Sequence, residues 1–256
     1  MSKASDDHEL SVKDSINKMK ISGLKAERPK ADVKYSDIKL TYKKGNNSQK
    51  TAWVEVKMNH TDNLGNIRVA WNGTRWSASE KGGITPLKAF MANLLNSGRG
   101  KTQADKFLTD LAKFVGAKNK NKIKVPTTEG GLKDPEAISY KQMEAFLKTR
   151  GSQYFIDVDN VDLGKLVTKH YNEGKAEPVA YMQAGNDFFL IGDLDTLSIK
   201  SKHSDIPFVK GKGMFRMRIG MRSKYYEVQP EIKIKTMGDS NYSLIDSKKK
   251  NPFQGL

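Results

Sequence analysis

Asp32, Glu55 and Lys57 have the residue types and spacing that could do chemistry. Pro29-Lys30-Ala31-Asp32-Val33 opens a strand-like run, and after a polar turn a second run carries Trp53-Val54-Glu55-Val56-Lys57. Strand side chains alternate, so Glu55 and Lys57 share a face. An aspartate from the adjacent strand would complete a pocket of two carboxylates and one ammonium. Hard Mg²⁺ binds through one or two carboxylates together with phosphate and water, so Asp32 and Glu55 could hold Mg²⁺, with Mn²⁺ as substitute, against a scissile phosphate. Lys57 could orient or help activate the attacking water and offset charge at the phosphorus. Asp37 competes for the role of first metal ligand. Hairpin counting from the Asn46-Asn47 turn puts it nearer to Glu55 and Lys57 than Asp32, which would lie beyond the paired part of the strand. A change in alternation phase near Ser36 and Asp37 predicts a bulge that disturbs this count.

The elements that must position these residues follow from periodicity. Leu10, Val12, Ile16 and Met19 predict a helix over 9–23 stopped by Gly23, with a polar bridge over 25–30. Residues 31–58 form an antiparallel hairpin turning at Gly45-Asn46-Asn47-Ser48. Asn63-Leu64-Gly65-Asn66 reads as a turn, and a short hairpin follows around Asn72-Gly73. Thr85-Pro86 starts a helix, and Thr102 caps another that Gly116 ends. The flexible basic loop expected between them carries Arg99 and Lys101 near a helix start, where phosphate is favoured. Ser139 with Gln142 forms a capping box, and 162–173 reads as a further helix. Hairpins are predicted around Ala184-Gly185-Asn186-Asp187 and around Arg222-Ser223-Lys224. The expected organisation is a core over 1–117, a linker or long loop over 118–136, and an α+β region over 137–256.

The preceding helix, Asp32 and the Glu55-Val56-Lys57 triplet together resemble the PD-(D/E)xK nuclease superfamily, the restriction-endonuclease-like fold. Pro29-Lys30-Ala31-Asp32 is similar to a form found in some restriction-type and phage-encoded members, and this context favours Asp32 over Asp37. The resemblance covers roughly residues 9–97. It implies a mixed α/β (α+β) core with a central mixed sheet flanked by helices, and a Mg²⁺-dependent deoxyribonuclease, most simply an endonuclease. Asp32 and Glu55 would be ligands and Lys57 would stand beside the water. Glu9 could be a further metal or water ligand, as in some relatives, or could simply complement the dipole of its helix.

A net charge of +16 attracts polyanions, and nucleic acid is the leading partner. Arg216, Arg218 and Arg222 on the last hairpin, with aromatics interleaved, could track a phosphate backbone or could face water while Phe215, Met217 and Ile219 fill core. The chain has no cysteine, which excludes disulfides, thiolate zinc sites and cysteine nucleophiles. Its four histidines lack the helical i, i+4 zinc spacing. No apolar run approaches the roughly 20 residues that span a bilayer. An intracellular, cytoplasmic protein is expected, in a phage-infected cell if the phage-type resemblance holds, and a homodimer would suit a palindromic target. The reading from another class is a non-catalytic nucleic-acid-binding or virion structural protein whose basic surface does all the work.

Overall fold

The computed structural model describes residues 3–29, 35–80, 83–128, 130–150 and 154–256. It has the expected mixed α/β class, with five α-helices and eleven strands in two sheets among the described residues. The chain divides into two compact units that interleave in sequence. One comprises Met1–Asp62, Asp162–Lys212 and Ile234–Leu256, and the other Asn63–Val161 and Gly213–Lys233. This division does not follow the expected linker over 118–136. Ile123 and Val125 in that stretch are buried within the second unit, and Val125 bridges Trp71.

In the first unit, helix α1 (Lys3–Lys18) buries Val12 and Ile16, and the chain then forms strands β1 (Leu24–Glu27), β2 (Ile38–Tyr42) and β3 (Lys50–Lys57). The helix starts earlier than expected, and the polar bridge contains an edge strand in which only Ala26 is buried. Gly23 marks the entry to β1 rather than the helix end. Its φ is +79°, and a Cβ there would lie 2.0 Å from the Lys43 carbonyl oxygen, so only glycine fits this close crossing.

The predicted hairpin is present. Strands β2 and β3 pair antiparallel from Ile38↔Val54 to Tyr42↔Lys50 without a break in register. Helix α5 (Leu163–Glu173) comes much later in the chain, capped by the Asp162 side chain, and is followed by strands β8 (Tyr181–Ala184) and β9 (Asp187–Leu190). Strand β8 runs parallel to β3, giving the mixed order β1-β2-β3-β8-β9. Val54, Val56, Ile38, Leu40, Phe188 and Leu190 form the core of this unit with α1 and the C-terminal Phe253. Each such side chain contributes about 1.5–3 kcal/mol on burial.

The second unit holds strands β4 (Asn63–Asn66), β5 (Val69–Trp71) and β6 (Trp76–Ala78), helices α2 (Pro86–Asn96), α3 (Gly98–Phe114) and α4 (Tyr140–Arg150), and strand β7 (Tyr154–Asp162). Most of the long strands β10 (Gly211–Met221) and β11 (Tyr226–Met237) also lies here. The sheet order is β6-β5-β11-β10-β7, with β4 paired to β11. Residues 63–66, predicted to turn, therefore form a strand. The Thr85 cap and the Ser139–Gln142 capping box are both formed. The flexible loop expected over 97–101 is instead a helix start. Helix α3 begins at Gly98, and Gly100 packs so close to α2 that a Cβ would lie 2.1 Å from the Leu94 carbonyl oxygen. Thr102 is inside this helix rather than at its cap.

Candidate active site

On β3, alternation puts Val54 and Val56 into the core and turns Trp53, Glu55 and Lys57 to the other face. Glu55 and Lys57 are only 8% and 13% exposed and form an ion pair at 2.9 Å. Glu55 is held from three directions. Oε1 accepts the Tyr171 hydroxyl of α5 at 2.8 Å as well as the Lys57 ammonium, and Oε2 accepts the Ser36 hydroxyl at 2.6 Å. Asp37 lies one residue before β2, where continuing the register past Ile38↔Val54 sets it opposite Glu55. Its Oδ2 accepts the Val56 N–H at 2.8 Å, between the two members of the ion pair in sequence. The structure thus brings together Asp37, Glu55 and Lys57. Asp32 lies outside the described residues.

The electrostatics follow from burial and from the charges that surround it. Burial, and then the neighbouring Glu55 carboxylate, raise the Asp37 pKa to about 8. Burial acts in the same direction on Glu55, but Lys57, Lys175 and the Ser36 hydroxyl outweigh it and bring that carboxyl down to about 2. Burial opposes the charge on Lys57, and Tyr171, Glu55 and Asp37 outweigh that penalty, so its pKa rises well above the ordinary value. Burial keeps the Tyr171 hydroxyl protonated and therefore a donor. At neutral pH Asp37 therefore keeps its proton, while Glu55 is a carboxylate beside Lys57 and within the field of Lys175. A divalent cation replacing that proton would relieve the repulsion between the two carboxyls, so the donor set fits a hard ion.

Glu9 is in the second turn of α1, not the first, and is 4% exposed, so dipole complementarity does not explain it. Arg28 Nε donates to its Oε2 at 2.7 Å and Arg28 Nη2 to Asp6 at 2.5 Å. Glu9 is nonetheless close enough to Asp37 to add to the rise in its pKa.

Sequence reasoning missed Ser36, Tyr171 and Lys175. Tyr171 shares the apolar stripe of Leu163, Leu166 and Val167 on α5, which marks it as buried without showing what its hydroxyl meets. Lys175 donates to the Tyr35 carbonyl at 3.1 Å.

The predicted nucleic-acid contacts are all in the second unit, in two separate stretches of sequence. Arg99 is exposed in the first turn of α3, and Lys101, two residues on, is paired with Asp105. On β10, Arg216 and Arg218 share a face opposite Phe215, Met217 and Ile219, as alternation predicts. Arg216 pairs with buried Glu231 and lies over the Tyr154 ring at 4.0 Å, and Arg218 Nε is 4.0 Å from Glu231. Arg222 pairs at 2.6 Å with Glu227, which also binds Arg68 at 2.7 Å.

One further group among the described residues could hold a metal ion: His60, Asp187 and Asp239 in the first unit. No helix among the described residues is long and apolar enough to cross a membrane. No family model matches the chain, and no curated protein or solved structure matches it.

Proposed function

We propose that the protein is a Mg²⁺-dependent deoxyribonuclease of the PD-(D/E)xK type, hydrolysing DNA phosphodiester bonds at Asp37, Glu55 and Lys57. The observation that carries this reading is the meeting of two carboxyls and one lysine, Asp37 just before β2 and Glu55 and Lys57 on β3. The net charge of +16 supports a polyanionic substrate.

Asp37 and Glu55 would hold the metal. When bound, Mg²⁺ supplies Lewis-acid polarisation of the phosphate and a more acidic water. The remaining work falls to the chain's own side chains. Lys57 is held protonated, so it donates to a phosphate oxygen or to the water and offsets charge, and it takes no proton from the water. Tyr171 and Ser36 fix the Glu55 carboxylate, which limits the orientations it can present. The water oxygen bonds to phosphorus as the bond to the leaving oxygen breaks; the water's proton passes to solvent, and the leaving oxygen takes a proton from solvent and departs as a hydroxyl.

One observation favours the non-catalytic reading. Both Glu55 oxygens already have protein partners, as they would in a purely structural ion pair. Plasmid nicking with Mg²⁺ separates the two readings. The nuclease reading requires nicking by the parent and its loss in Glu55→Gln and Asp37→Asn. DNA binding by folded parent protein with no nicking in Mg²⁺ or Mn²⁺ would overturn it.

A further inference from the structure

His60, Asp187 and Asp239 come from three separate segments of the first unit: the loop after β3, the start of β9 and the turn after β11. One ligand atom from each lies within 4.8 Å of the other two. The buried member is fixed from behind. Asp187 Oδ1 accepts the Ser240 N–H at 2.7 Å and the Lys249 ammonium at 2.6 Å, and Lys249 also donates to the Ser240 carbonyl at 2.9 Å. With Oδ1 occupied, Oδ2 is turned to His60 Nε2 at 2.8 Å. The imidazole stands edge-on to Phe189 with ring centroids 6.2 Å apart. Asp239, next to Ser240 in the same turn, is exposed and leaves the solvent side open.

These features are those of a built metal site. A carboxylate oriented by outer partners is pre-positioned as a ligand. The three side chains offer a cation one imidazole nitrogen and two carboxylate oxygens. The imidazole nitrogen selects among cations, because Mg²⁺ and Ca²⁺ prefer all-oxygen shells, whereas one nitrogen and two carboxylate oxygens plus water suit tetrahedral Zn²⁺. We propose that His60, Asp187 and Asp239 form a Zn²⁺-class transition-metal site, distinct from the Asp37–Glu55–Lys57 cluster, that ties the loop after β3 to β9 and to the turn after β11. The inference is independent of whether the protein cuts DNA.

Calorimetric titration of the full chain with Zn²⁺, with thermal melts alongside, tests it. The parent and Asp14→Asn, a change at an exposed carboxylate of α1, should show the same saturable Zn²⁺ binding and the same rise in Tm with Zn²⁺. His60→Gln and Asp239→Asn, both at solvent-accessible positions, should each weaken binding at least about tenfold and lose the Tm rise. Absence of saturable binding in the parent would overturn the proposal. So would parent-like affinity in either ligand variant, which would place the ion elsewhere.

Discussion

Strands β3 and β11 both bury glutamate beside cations, and they differ in what stands next to it. On β11, Glu227 and Glu231 are 0% and 2% exposed and meet four arginines: Arg68, Arg216, Arg218 and Arg222. That face carries an excess of positive charge. On β3, Glu55 faces Asp37 with Lys57 as the ion-paired cation, and burial, with the Glu55 carboxylate after it, holds a proton on Asp37 up to about pH 8. Glu231-Ile232-Lys233 on β11 has the same spacing as Glu55-Val56-Lys57. The difference is therefore not in the triplet. It lies in what the neighbouring strand supplies: a second carboxyl beside β3 and arginines beside β11. The first environment is suited to a cation and the second to an anion.

The largest expected difference is in catalysis and stability together. Lys57→Ala should lower the nicking rate by about 10²–10³-fold, as expected for loss of one preorganised charge-stabilising donor. It should also destabilise the fold by about 3–5 kcal/mol in urea titration, because Glu55 stays buried without its partner. Arg218→Ala on the second face should leave the rate at saturating DNA unchanged and raise only the DNA concentration needed. Equal losses of maximal rate in the two variants would erase the distinction between the faces.

Dependence on pH sharpens the same point. The Asp37 pKa is raised from 3.8 to about 8, so its contribution to stability is complete below about pH 4 and is lost as pH climbs toward 8. The stability of the parent relative to Asp37→Asn should therefore fall across that window, and Mg²⁺ should reverse the fall by replacing the proton. His170, next to Tyr171, acts in the opposite sense. Burial and then Lys175 depress its pKa from 6.5 to about 4, so its contribution is present above about pH 6.5 and is lost on acidification, by at most about 3 kcal/mol. Urea midpoints of the parent, Asp37→Asn and His170→Phe from pH 4 to 9 would measure both slopes. A flat difference for Asp37→Asn would show that the carboxyl carries no raised pKa.

The smallest effect concerns two buried tyrosines, one in each unit. Tyr171 donates to the charged Glu55 at 2.8 Å, and Tyr226 donates to the neutral Ile138 carbonyl at 2.7 Å. Tyr171→Phe should cost about 1.5–3 kcal/mol and Tyr226→Phe about 1 kcal/mol, because hydrogen bonds to charged groups are the stronger. The reverse order in denaturant melts would mean that Glu55 is less charged than the account requires.

Local chemistry made much of this fold legible. The Ser139–Gln142 box, the Thr85-Pro86 start and the β2–β3 hairpin rest on short-range rules, and all three are present. Hairpin counting also put Asp37 nearer to the triplet than Asp32, whereas the motif context favoured Asp32, which lies outside the described residues. What could not be read was non-local. The parallel pairing of β3 with β8 joins residues more than a hundred positions apart, and so does the Tyr171 bond to Glu55. Strand β1 escaped notice because its alternation offers one buried side chain, Ala26. Strand β4 reads as a turn because Asn-Leu-Gly-Asn has turn composition, and only pairing with β11 makes it a strand. Nor does composition show that the chain leaves the first unit at Asp62 and returns at Asp162.

The central claim is that Asp37 and Glu55 share one divalent cation beside Lys57. Anomalous diffraction from crystals soaked in Mn²⁺ tests it most directly. The account predicts a peak bonded to both carboxylates at about 2.0–2.2 Å, the spacing of hard cations on oxygen ligands. Saturating Mn²⁺ that leaves the space between Asp37 and Glu55 without a peak, with Lys57 still paired to Glu55, would contradict it.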